Sequence, residues 1–328
     1  MEDTTGLKKI VTIGGGTGTF VVLSGLKSLH GVFLTAIVSV LDDGGSTGRL
    51  RDAYGFLPAG DARQALIALA KNDEKDLMRA LFSYRFTKGD IAGHNFGNLF
   101  LTALSDILGS GSKAIEAASD VLRVKGKVYP VSDSPATLVA TLENGDVVTG
   151  EHLIDARNPG RSRITSLSTT ENAAIFPDAQ TAIQEAHLII LGPGDLYAST
   201  LADFAVSGVK EAVSASSAKI VYIVNLFTKA GQTDGMTAKD HVAEITRYVG
   251  RKPDVTIVHT GSFEPSILRH YAAEHELPVT DDLPHDDSVV RGDFADIVVA
   301  KKVEGDTVPR SFIRHDSLKI ASTITSLL

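Results

Sequence analysis

With 328 residues, 43% hydrophobic and 22% charged, the chain is long enough for one large or two ordinary domains and has the balance of a folded globular protein. It contains no cysteine, which excludes disulfides and thiolate-held metals. The net charge is −8 and no block of Lys or Arg stands out, so a nucleic-acid partner is not expected and any phosphate must be held locally.

The chain opens polar and acidic, unlike a signal peptide, and no run approaches the roughly 20 apolar residues that span a bilayer. The expectation is a cytoplasmic protein without membrane insertion. The first apolar run, 9–13, predicts a strand, and it breaks into Gly14-Gly15-Gly16-Thr17-Gly18-Thr19 before a helix predicted over 20–29. Such bare backbone lets N–H groups approach a phosphate, with the positive end of the helix dipole behind them. A tight turn that only lets the helix pack on the sheet would look the same. The dinucleotide fingerprint is missed, because its last glycine falls on Thr19 or Val21, and no Lys-Ser/Thr pair follows to make a P-loop.

A second strand, 34–40, runs into SVLDDGGSTGRLRD. Asp42 and Asp43 stand where an open α/β sheet places its ligand crevice, as candidates to grip a ribose or to hold magnesium through oxygen. Gly44, Gly45 and Ser46 suggest a loop closing on a ligand, with Arg49 and Arg51 offering guanidinium groups to phosphate. An exposed acidic turn with a flanking salt bridge is the plainer alternative. In LPAGDARQAL, Asp61 reads as the N-cap of a helix over 62–72, and Arg63, inside its first turn, is the candidate ligand contact. In AGHNFGNLFL, His94 and Asn95 precede a helix over 96–108, with Asn98 near its start. His94 is a candidate proton carrier or a polar cap.

From about 127 to 165 the pattern turns strand-like, and Asn144-Gly145 between alternating apolar runs signals a hairpin. The next buried strand, 188–191, ends in Gly192-Pro193-Gly194-Asp195, with Tyr197 and Ser199 just beyond as a second wall for the same crevice. Another, 219–224, opens at Asn225 into a polar loop containing Thr228, where amides and hydroxyls are placed to read a base or a sugar. A helix over 237–249, a strand over 254–259, a helix over 265–275 and a strand over 296–300 complete the alternation. Continuously apolar strands between helices predict a doubly wound, mainly parallel α/β sheet. No HExxH, GxSxG or paired-histidine spacing is present, so binding chemistry is more legible than bond-breaking chemistry.

In this order, VTIGGGTGTF, SVLDDGGSTGRLR, LPAGDARQAL, GHNFGNLFL, LGPGDLYAST and VNLFTKAGQTDG resemble the YvcK family, also called gluconeogenesis factors. That family shares a superfamily with CofD, the 2-phospho-L-lactate transferase of deazaflavin cofactor synthesis. The resemblance implies a Rossmann-like three-layer α/β/α core in a single domain, 1–328, with an inserted antiparallel β-rich excursion at about 127–165. It implies a UDP-sugar ligand, notably UDP-N-acetylglucosamine, with NAD(P) in the same crevice as the other candidate, no required cofactor, and a role in cell shape and wall synthesis on gluconeogenic carbon sources. It also implies that Arg314, in IRHDSLKIA, holds the nucleotide sugar, and that Ser317 stands where relatives carry a phosphorylatable threonine. The chain departs from the family pattern at Asn95-Phe96, Asp195 and Lys229-Ala230, and the carboxylate at 195 is unfavourable beside a phosphate.

The reading that fits best is a nucleotide-sugar-binding regulator that signals to a protein partner. A CofD-like transferase with magnesium on Asp42 and Asp43 is the alternative. An NAD(P)-dependent oxidoreductase fits less well, given the missed fingerprint. A homodimer is a common assembly for such proteins.

Overall fold

The computed structural model describes residues 6–71, 77–297 and 313–328. β1 (Lys8–Ile13) leads through α1 (Gly16–Leu26) to β2 (Val32–Val38). The helices α2 (Gly45–Tyr54), α3 (Gly60–Leu69), α4 (Leu77–Ser83), α5 (Phe96–Leu108) and α6 (Gly111–Val121) follow, then β3 (Lys127–Pro130). An excursion of β4 (Leu138–Leu142), β5 (Val147–Thr149), the short α7 (Glu151–Asp155) and β6 (Ile164–Thr169) comes next. The second half alternates α8 (Pro177–Gln184), β7 (Leu188–Leu191), α9 (Val209–Ala215), β8 (Lys219–Ile223), α10 (Ala238–Val249), β9 (Val255–His259), α11 (Pro265–Ala273) and β10 (Val289–Gly292). It closes with β11 (Ala295–Ile297), β12 (Ile313–His315) and α12 (Ser317–Leu327).

Seven strands form one sheet in the order β10-β9-β8-β7-β1-β2-β3, every neighbouring pair parallel. Both faces are covered, which is why the strands carry no polar alternation. Ile10 joins Val22, Leu23 and Leu26 of α1 in one core, while Val11 and Ile13 face a second core shared with α8, α9 and α10. Ile10 is fully buried, so truncating it to Ala is expected to cost about 2–5 kcal/mol. The helices end where local chemistry says they should. Thr237 and Asp240 form a reciprocal capping box at α10, Asn95 caps α5, and Gly109 and Gly250 close their helices in the left-handed conformation.

Three elements differ from the sequence expectation. The strand expected over 296–300 is not part of the parallel sheet: its described portion, β11, pairs antiparallel with β12, and residues 298–300 lie outside the described residues. The sheet is completed instead by β10 and β3, short strands whose sequences carry little apolar signal. Because β3 pairs parallel with β2, the antiparallel excursion starts at β4, later than 127, and runs to Thr169 in the order β5-β4-β6. The glycine-rich DDGGSTGRLRD segment, expected as a loop, enters α2 directly after Gly44.

Candidate functional site

β1 and β7 are neighbours, but the chain builds outward from them in opposite directions, toward β2 and β3 on one side and β8, β9 and β10 on the other. The loops leaving such a pair of strands diverge and leave a crevice at their carboxyl ends. Here the crevice is a cleft of about 1330 Å³. Its floor is Gly16, Thr17 and Gly18 after β1 and Pro193 and Gly194 after β7, with Asn225 to Lys229 after β8 continuing the wall.

The glycine loop is already engaged with the protein. Gly16 N–H, at the start of α1, donates to Asp61 Oδ1 at 2.8 Å. A Cβ on Gly15 would collide with the same carboxyl group, and one on Gly18 with the Pro193 carbonyl, so these positions are bare because other backbone and side-chain groups press against them. Gly16 also holds φ +71°, a left-handed conformation that favours glycine. Asp61 is therefore not the cap of its own helix, which follows Ala59; its carboxyl serves the N-terminus of α1. Gly14, Gly15 and Thr19 are buried beneath the cleft and do not line it.

Asp42 and Asp43 diverge. Asp42 lines the cleft and accepts from Gly44 N–H at 2.8 Å. Asp43 Oδ1 accepts from the backbone N–H of His152 at 2.9 Å and lies 2.7 Å from its Nδ1, so it is committed to α7. The pair does not fit a shared magnesium ion, and among the described residues no group of three or more His, Cys, Asp or Glu is arranged to hold a metal. Gly44, Gly45, Ser46 and Arg49 do not line the cleft, and Arg51 turns to Asp52 at 3.1 Å. His94 Nδ1 meets Ser46 Oγ at 3.1 Å outside the cleft, and burial, with Arg49 and Arg85 nearby, lowers its pKa. Asn95 lines the cleft while capping α5. Asn98 does not line it, but its Oδ1 accepts from Arg63 Nε at 2.8 Å and so aims the one arginine of this group that does.

On the other wall, Pro193, Gly194, Ser199, Asn225 and Thr228 reach the cleft and Gly192 does not. Asn225 Nδ2 donates to Gly194 O at 2.7 Å, tying the two loops together. Tyr197 lies in the core, its hydroxyl donating to Glu244 at 3.1 Å, because the turn after β7 winds into a π-helix that rotates it inward. Arg314 reaches the cleft from β12 beside His315.

Several lining residues carried no recognisable motif. The excursion returns Glu151, Asp155 and Arg157 to the cleft, and α4 with the segment after it contributes Arg79, Tyr84 and Arg85. Phe227 stacks on Tyr271 with ring centroids 4.0 Å apart, giving one end an aromatic surface. Only a mixed-charge stretch after the Asn144-Gly145 hairpin, GEHLIDARNPG, hinted at any of this.

Electrostatically the cleft is crowded with acids. Burial, then Asp42, pushes Asp61 up to about 7 against the pull of Gly16 N–H and Arg63. Burial raises Asp42 too, and burial together with Asp42, Asp155 and Asp61 holds Glu151 well above the carboxylate range. Asp155 is raised to about 7 by burial and by Asp195. Asp195, although burial works upward on it, is held below the usual range by Lys229.

This is a Rossmann-like α/β protein with a ligand-sized cleft at its topological switch point. The profile described as 2-phospho-L-lactate transferase CofD matches residues 10–295. A gluconeogenesis factor of Bacillus subtilis is 39% identical over 322 residues, covering 98% of both chains. One from Halalkalibacterium halodurans is 38% identical over 320 residues, 97% of this chain and 95% of that one. A crystal structure of a UPF0052 family member from Bacillus halodurans superposes with a TM-score of 0.86 at 34% identity, covering 97% and 99% of the two chains. The chain belongs to the CofD family, in its gluconeogenesis-factor (YvcK) branch. Among the described residues no helix is long and apolar enough to cross a membrane.

Proposed function

We propose that this chain binds a nucleoside diphosphate sugar, UDP-N-acetylglucosamine or a close analogue, and acts as a regulator linking carbon metabolism to cell-shape and cell-wall synthesis. The observation that carries this reading is the cleft itself. At about 1330 Å³ it has room for an extended two-part ligand, with arginines 63, 79, 85 and 314 around it and an aromatic surface from Phe227 and Tyr271 at one end.

A ligand that bridges the loop after β1, the excursion and β12 would favour one arrangement of these segments, and a protein partner could read that arrangement. The test is a thermal shift and calorimetric titration with UDP-N-acetylglucosamine, other UDP-sugars and NAD(P). A rise in Tm that saturates with a UDP-sugar supports the reading, and no shift with any of them removes it. The family profile keeps a transferase as the second reading. Product from a guanylylated phospholactate donor and a deazaflavin acceptor would favour that one.

A further inference from the structure

The glycine loop has a resident carboxyl group. Asp61 Oδ1 takes the Gly16 N–H that would otherwise be offered to a phosphate, and the carboxyl lies over Gly15 at the cleft floor. No other protein hydrogen bond to this carboxyl is found among the described residues, so the second oxygen has none. Around it stand Asp42 from the segment after β2, Glu151 from α7, fully buried Asp203 from beyond the π-helix and, as the cation among the described residues, Arg63 two positions on in the first turn of its own helix. The two oxygens of Asp203 have no hydrogen-bond partner among the described residues, and Ser39, beside it, lines the cleft. An ionised Asp61 would repel an entering diphosphate. An acid Asp61 would do the opposite.

We infer that Asp61, rather than the glycine backbone, is the direct phosphate partner at the cleft floor, and that it acts as a carboxylic acid whose Oδ1 keeps the Gly16 N–H while its protonated Oδ2 donates to a phosphate oxygen. The assignment rests on the nucleotide-sugar reading and adds to it which residue meets the diphosphate and what must accompany binding. A single O–H donor relays the positive end of α1 to the ligand, as neutral carboxylic acids do in other enclosed sites. The proton comes from solvent, so the complex takes up a fraction of one proton per ligand near neutral pH. Asp61 titrates at about 7 in the ligand-free protein, placing this exchange in the accessible range. Above that value the competent acid form thins out about tenfold per pH unit, and apparent affinity falls with it.

Asp61→Asn is a mimic of the acid form, since its amide oxygen can keep the Gly16 N–H and its amide nitrogen can donate to phosphate. The experiment is calorimetric titration of UDP-N-acetylglucosamine, whose pyrophosphate, esterified at both ends, is fully ionised near neutrality. It is run with EDTA at pH 6.5 and 8, each in two buffers of different ionisation enthalpy. Wild type is expected to show proton uptake and to weaken at pH 8. Asp61→Asn is expected to bind without proton exchange from Asp61 and about tenfold more tightly than wild type at pH 8. Wild-type binding that is independent of pH and buffer overturns the inference and leaves the nucleotide-sugar reading standing. Loss of affinity in Asp61→Asn at both pH values, or binding only when a divalent cation is restored, overturns it equally. No binding of this probe or other nucleotide sugars in EDTA or with divalent cation restored overturns the reading and the inference together.

Discussion

Lys229 Nζ lies 3.3 Å from Asp195 Oδ2, so two positions at which the chain departs from the YvcK pattern meet as an ion pair. The carboxylate at 195, unfavourable for a phosphate when considered alone, brings its own cation. Lys229 also stands 3.4 Å from Asp155 Oδ1, and thereby joins the excursion to the loops after β7 and β8.

Lys229→Gln should therefore leave Asp155 and Asp195 facing each other, whereas Asp195→Ser with Lys229→Gln removes charge and countercharge together. The side chains are 17% exposed for Lys229, 34% for Asp195 and 38% for Asp155, so screening limits the single-variant loss to about 1 kcal/mol, with a coupling of the same order. Urea unfolding of both single variants and the double at pH 8 measures it, and strict additivity would show the pair to be idle.

Asp61 carries a stability signature apart from binding. Its carboxyl titrates at about 7 when folded and in the ordinary carboxylate range when unfolded, so between those values the folded state holds the extra proton. The stability tied to that proton is complete at low pH and is lost as pH rises through about 7. Asp61→Asn cannot ionise. Its Tm should match wild type only near pH 4, pull ahead progressively as pH rises from there, and exceed it by a constant few degrees above about 7. A difference that does not vary with pH would remove ionisation from the account.

His315 gives the opposite slope. Its Nε2 faces Val224 O at 3.1 Å, and burial, with His259 nearby, pushes its pKa down to about 4. The unfolded ring titrates near 6.5, so stability from the neutral ring is full above that value and is lost as pH falls from there through about 4. His315→Gln is expected to cost about 1 kcal/mol at pH 7.5 and to flatten the acid side of the stability profile. Ring-nitrogen NMR of wild type should show a proton taken up only near pH 4.

Arg63 and Tyr197 separate cleft from core. Tyr197→Phe loses one buried hydrogen bond and should cost about 1 kcal/mol in unfolding without changing ligand affinity. Arg63→Ala should weaken nucleotide-sugar binding roughly tenfold or more, the worth of one charged hydrogen bond, at a smaller cost in stability. Equal effects on affinity would mean that the cleft and its contents have been misassigned.

The chain's own pattern determined the parallel α/β alternation and the loops after β1, β7 and β8, because periodicity and turn residues act within a few positions of one another, while the cap expected at Asp61 and the short edge strands β3 and β10 were not legible there. Tertiary structure decided the rest. Whether Asp42 and Asp43 point together, whether Tyr197 faces ligand or core, and which donor Asp61 serves depend on elements far apart in sequence meeting in space. So does the arrival of Glu151, Asp155 and Arg157 in the cleft. Local spacing carries no information about strand order, and it is the order β7-β1-β2 that opens the crevice and selects which of the polar residues reach it.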